Sequence, residues 1–235
     1  MWAGDDGFAE KIINSQCKNC HRFEGKPKSK FDLKAPDLMW SGVKYQHPWL
    51  IRWLMGQEDN LYPNSYRWDK SHFSGKHMIL TREEATVIAE YMEKTFLDPR
   101  VKKSFVDMST FTEMEASLGA DIFREYSCLG CHQIKDDEGN NIGGPISANL
   151  YDAGNRYRLD WGSRFAENPQ DFPPHSGEYL ADISLRKARH IIGYLMTLGV
   201  KDFKFYEPWE SETFKKADAG RGAKVYKEYC VQCHG

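Results

Sequence analysis

No stretch of this 235-residue chain holds the roughly 18 consecutive apolar residues that a membrane span needs, so nothing in it reads as a transmembrane helix. It opens without a basic segment followed by an apolar one. Met1-Trp2-Ala3-Gly4 has neither, and a processed or engineered start is expected. Charge of one sign is lacking too: 32 basic against 34 acidic residues leave a net charge of −2, which excludes the basic footprint of a nucleic-acid binder. Apolar residues are only 40% of the chain and the mean hydropathy is −0.67, so a small domain cut from it is short of buried surface. Nor is any cysteine left for a disulfide, because all six fall in three short motifs.

Those motifs are Cys17-Lys18-Asn19-Cys20-His21, Cys128-Leu129-Gly130-Cys131-His132 and Cys230-Val231-Gln232-Cys233-His234. Cys-x-x-Cys-His is the attachment site of a c-type haem. The two thiols add across the vinyl groups, and the adjacent imidazole supplies the proximal nitrogen to iron. A single copy also suits a redox dithiol, but three copies that consume every cysteine favour three covalent haem c groups. A haem in each core also supplies the apolar area that the composition lacks.

The segments around the motifs repeat. Gly119-Ala120-Asp121-Ile122-Phe123-Arg124-Glu125-Tyr126 precedes the second motif, Gly222-Ala223-Lys224-Val225-Tyr226-Lys227-Glu228-Tyr229 precedes the third, and Gly7 to Gln16 is a looser first copy. Each predicts a short amphipathic helix running into its motif. Downstream, Tyr45, Trp49, Arg52 and Trp53 match Tyr157, Trp161, Arg164 and Phe165 at identical spacing. An aromatic stripe in a helical core explains that periodicity, and the shared spacing argues for a common domain plan. A closing helix follows each time. Thr81 and Glu84 form a capping box before Ala85, Ile88, Ala89 and Met92, and Ser184 caps the counterpart with Ala188, Ile191, Ile192 and Leu195. Asp98-Pro99 and Gly199 are the expected stops, and Asp218 is expected to cap the third motif's helix. The resulting domains are 1–99, 100–205 and a linker with the start of a third over 206–235.

This plan of helix, haem motif, loop, middle helix, ligand loop and closing helix resembles the class I c-type cytochrome family in tandem. The resemblance covers nearly all of residues 5–200 and the opening of a further domain. It implies an all-α fold of short helices wrapped around each haem, with attachment on the periplasmic or equivalent face of the membrane. His21, His132 and His234 are then proximal ligands, and a loop proline carbonyl, Pro36 or Pro145, receives the imidazole N–H. The third copy stops just after His234, so a fragment of a longer chain is expected.

The chain departs from the family at the distal side. Where the family carries Pro-x-Ser-x-Met-Pro, this sequence reads Pro63-Asn64-Ser65-Tyr66-Arg67-Trp68 and Pro174-His175-Ser176-Gly177-Glu178-Tyr179. Arg67 stays protonated and cannot ligate. Met78 is the favoured distal ligand of the first domain, with His77 and His72 as alternatives. No methionine lies between Cys128 and Met196, so His175 is favoured in the second, with an open or water-bound iron as the alternative. Met196 reads as a core residue, His190, flanked by basic residues, as part of a solvated face, and His47, which aligns with Leu159, as no ligand. If Met78 and His175 ligate, the first haem has the higher potential.

The expected function is single-electron transfer between redox partners, as a carrier or a subunit of a membrane-bound respiratory complex, with no catalytic residues. The alternatives are a peroxidase-like or other haem oxidoreductase, or a gas-binding sensor, each needing an open iron. His175 and Glu178 are the only suggestive acid–base pair. The loop after the first motif is basic (Arg22, Lys26, Lys28, Lys30, Lys34) and that after the second acidic (Asp136, Asp137, Glu138), which suits two unlike partners steered by opposite fields.

Overall fold

The computed structural model describes residues 6–26, 34–59, 61–62, 77–172, 183–199 and 216–231. The chain is mostly helical and divides into two compact units, Met1–Phe203 and Lys204–Gly235. The first unit carries both complete repeats. In the first repeat α1 (Asp6–Ser15) runs into a 3₁₀ turn at Cys17–Asn19, followed by α2 (Ser41–Lys44), α3 (His47–Leu54) and α4 (Arg82–Thr95). In the second, α5 (Glu113–Glu125) runs into a 3₁₀ turn at Cys128–Gly130, followed by α6 (Ala153–Arg156), α7 (Leu159–Glu167) and α8 (Leu185–Thr197). The second copy adds the one sheet among the described residues, an antiparallel hairpin of β1 (Gln133–Lys135) and β2 (Asn141–Gly143).

The helix ends follow local chemistry. Thr81 and Glu84 form the expected capping box, Ser184 Oγ accepts from the Lys187 N–H, and Thr112 with Glu115 adds a second box at the head of α5. Helix α8 ends before Gly199, whose φ of +121° suits glycine. The opening helix of each repeat packs against its closing helix, α1 on α4 and α5 on α8. At the second crossing Gly119 permits close approach: a Cβ there would lie 2.1 Å from the His190 carbonyl oxygen. His190 is therefore buried in this crossing, 8% exposed, and the expectation of a solvated face is overturned. Its basic neighbours in sequence lie on other faces of the same helix, which turns about 100° per residue.

Backbone pairing joins the two repeats. Tyr45 and Tyr157 form an antiparallel bridge in which Gln46 N–H donates to Arg156 O at 2.8 Å and Arg158 N–H to Lys44 O at 2.9 Å. The side chains repeat the exchange, Arg158 Nε donating to Tyr45 O at 2.9 Å and Gln46 Nε2 to Tyr157 O at 3.2 Å. Since Lys44, Tyr45 and Gln46 correspond to Arg156, Tyr157 and Arg158 in the repeat, the junction is locally two-fold. In the second unit α9 (Ala219–Val225) is capped by Asp218, as expected, and continues through a π turn over Tyr226–Cys230.

Two outcomes test this packing. Gly119→Ala should destabilise the protein by about 1–3 kcal/mol in denaturant titration, because backbone must move, whereas Gly7→Ala, with open space around it, should not destabilise it. The Glu115 carboxyl is held down at about 2, from an ordinary 4.5, by the Thr112 backbone N–H and then by Arg189. Its contribution is complete above pH 4.5 and disappears as pH falls through about 2. The Tm gap between wild type and Glu115→Gln should therefore be widest near neutrality and close over that interval.

Candidate haem-attachment sites

The first two motifs adopt one geometry. In each, the second cysteine N–H donates to the first cysteine's carbonyl (3.1 Å and 3.2 Å), and the histidine N–H donates to the same oxygen (2.8 Å and 2.9 Å). This tight turn brings two thiols and an imidazole to one patch of backbone. Among the described residues no disulfide forms, although Cys17 with Cys20 and Cys128 with Cys131 have the spacing of redox dithiols. Burial pushes the Cys17 thiol up, whereas redox dithiols of this spacing have theirs lowered.

Each imidazole is fixed from behind. His21 Nδ1 lies 2.7 Å from the Pro36 carbonyl oxygen and His132 Nδ1 lies 2.7 Å from that of Ala148. A carbonyl only accepts, so Nδ1 carries the proton in both rings and Nε2 presents a lone pair for a metal. Burial, with His77 nearby, lowers the pKa of His21 and keeps it in the neutral form a metal needs. Pro36 is placed as expected. Pro145 is not the second acceptor. The acceptors lie 15 and 16 residues after their histidines, one residue being added in the second loop, and that position is Ala148. A backbone carbonyl serves whatever side chain it carries. The hairpin holds the loop there, with Ser147 N–H donating to Cys131 O and Leu150 N–H to Gln133 O. Gly144 fits directly against the motif, since a Cβ would lie 2.1 Å from Gly130 O.

An arginine anchors the residue after each acceptor. Arg22 Nε donates to Asp37 Oδ1 at 2.8 Å, and Arg156 Nη1 donates to Asn149 Oδ1 at 3.1 Å. Arg22 is thus committed to a buried carboxylate and is not part of an exposed basic docking loop; Lys28 and Lys30 lie outside the described residues. Arg156 is fully buried, bonded also to the Asn149 carbonyl and ion-paired with Asp152 at 3.2 Å, yet its Nε has no partner among the described residues. The buried Ser41 Oγ and Trp161 Nε1 are likewise unanswered there. Unused buried donors are costly unless a bound group accepts from them, and the carboxylates of a haem have that chemistry. Paired thiols, a metal-ready imidazole and a buried cation with a spare donor together fit haem c.

His77, an alternative for the distal ligand in the sequence, approaches His21 with ring centroids 6.1 Å apart. Its Nδ1–H donates to the Met78 carbonyl at 2.8 Å, again leaving Nε2 available. Both rings thus keep one nitrogen that could be offered to a metal. Met78 is half-buried beside His77. His47, expected not to ligate, bonds Glu93 Oε2 at 2.9 Å. His72, His175, Glu178, Cys233 and His234 lie outside the described residues; Cys230 is described and half-buried. Among the described residues no group of three or more His, Cys, Asp or Glu is arranged to hold a metal ion, and no helix is long and apolar enough to cross a membrane. Ala148, Asn149 and Arg156 escaped the sequence reading; the equal spacing from Pro36 to Tyr45 and from Ala148 to Tyr157 is the signal that could have found them.

Comparison with family models, with curated protein sequences and with solved structures yields no match.

Removing the anchor should loosen the site. Arg156→Met should lower the unfolding midpoint in denaturant titration, because Asn149 and Asp152 lose their buried partner, while the His132–Ala148 bond, which does not involve Arg156, is kept.

Proposed function

We propose that this protein is a multihaem c-type electron carrier built on tandem class I cytochrome domains, working outside the cytoplasmic membrane with redox proteins or a respiratory complex as partners. One observation carries the reading. Two copies of Cys-x-x-Cys-His share one turn geometry, and each orients its histidine through an Nδ1–H bond to a loop carbonyl. A group bound jointly by two thiols and an imidazole accounts for that arrangement in both copies.

When bound, haem c supplies an iron that cycles between two oxidation states. The chain's part is to hold, orient and insulate. Cys17 with Cys20, Cys128 with Cys131 and Cys230 with Cys233 form the thioether bonds, and His21, His132 and His234 supply proximal nitrogens. Pro36 and Ala148 fix the tautomer and raise the basicity of His21 and His132. For the first site, the spacing and spare nitrogen of His77 favour it over Met78 as distal ligand. His175 stays the proposal for the second. An imidazole pair at the first site withdraws the reason for expecting the higher potential there.

Replacing Cys17 and Cys20 by Ser should remove about one third of the haem absorbance per chain, if three sites load alike. Magnetic circular dichroism in the near infrared separates imidazole pairs from imidazole–thioether pairs. Met78→Leu should leave the first haem's signature unchanged, and His77→Met should raise its potential. A signature lost in Met78→Leu would return the ligand to the thioether.

A further inference from the structure

We propose that a continuous stack of aromatic side chains is the electronic bridge between the first and second haem sites. This rests on the haem reading above and adds to it a route.

The stack follows from helical spacing. Tyr45, Trp49 and Trp53 recur every four residues, as do Tyr157, Trp161 and Phe165; Trp49 with Trp53 shares a face of α3 and Trp161 with Phe165 a face of α7, and the extended residues Tyr45 and Tyr157 lead into those helices. The Tyr45–Tyr157 bridge joins the trios end to end. Centroid separations are 6.2 Å (Trp53–Trp49), 5.4 Å (Trp49–Tyr45), 6.0 Å (Tyr45–Tyr157), 5.6 Å (Tyr157–Trp161) and 4.8 Å (Trp161–Phe165). Interplanar angles stay between 20° and 25° throughout, so the rings are near-parallel at the separations of offset-stacked pairs. At one end Trp53 contacts His77 at 4.2 Å, and His77 faces His21. The link toward the second motif leaves from within the stack: Tyr157 packs against the core cluster that Cys128 also packs against, while Trp161 and Phe165 run on to Phe172.

Packing alone explains an aromatic stripe within one helix. It does not explain why two stripes meet ring on ring across the repeat junction, with the first ending on the imidazole beside His21.

The stack carries charge by orbital overlap, without oxidised rings along the way. Lys44 Nζ lies 5.1 Å and 4.8 Å from the centroids of Tyr45 and Trp161, and the Arg156 guanidinium lies 4.6 Å from that of Tyr157. Such cations favour electron-rich rings and oppose their oxidation. Burial also pushes the Tyr45 phenol up to about 12, which discourages loss of its proton. The transfer is of one electron: one haem iron is oxidised by one unit, the other is reduced by one, and no bond or proton moves.

The test uses the natively matured full chain carrying Cys230→Ser and Cys233→Ser, so that two sites load. Flash photoreduction by an excited flavin, followed at the two haems' absorption bands, gives the inter-haem rate. Tyr157→Leu should slow it by about ten-fold, since the gap forfeits ring contact on both sides. Tyr157→Phe, which keeps the ring, should restore it. Haem content, both potentials and the near-ultraviolet circular dichroism of the Phe variant should match the parent. If Tyr157→Leu unfolds, Trp49→Leu is read in its place with the same expectation. Unchanged rates in the Leu variants, with haem bound, overturn the bridge and leave the haem reading intact. A parent protein without covalent haem overturns both.

Discussion

A neutral imidazole held through its Nδ1–H by a backbone carbonyl is the constraint on which the architecture turns. It occurs as His21 on Pro36 and as His132 on Ala148, each at 2.7 Å. For that bond to form, the loop after each motif must return to the motif. Arg22 on Asp37 and Arg156 on Asn149 hold the returning strand one residue beyond the carbonyl. The opening helix must enter the turn at a set angle, and its crossing with the closing helix sets that angle. Helix, turn, loop and closing helix thus meet at one ring nitrogen in each repeat.

The second organising contact is the Tyr45–Tyr157 bridge. Two copies that each hold an aromatic stripe could pack in many ways, and the reciprocal backbone bonds select the one in which the stripes run on from each other. Each stacked pair contributes about 0.5–1.5 kcal/mol beyond its buried area, so the junction is stabilised as well as aligned. Glu93 reinforces it through Arg158 and His47.

Features encoded by side-chain type were legible in the chain. The Thr81–Glu84 capping box, the helix stop at Gly199, the closing-helix faces and the Ser184 and Asp218 caps follow from residues whose chemistry admits few alternatives. What escaped was encoded in backbone or in tertiary context. The acceptor for His132 is a carbonyl that any residue offers, so proline was a false guide to Ala148. His190 sits among basic residues in sequence, yet the close approach at Gly119 buries it. Arg22 looks like surface charge until the loop brings Asp37 to it. The small hairpin after the second motif, in an otherwise helical fold, belongs to the loop that shifts the acceptor from the expected proline.

The most direct test is intact-mass analysis of the natively matured protein under denaturing acid, with and without prior acidic-acetone extraction. Thioether attachment predicts a mass increased by whole haem units, unchanged by extraction, with the added mass retained on peptides spanning Cys17–His21 and Cys128–His132. A colourless protein of unmodified mass, or a pigment that leaves with the solvent, would contradict the account.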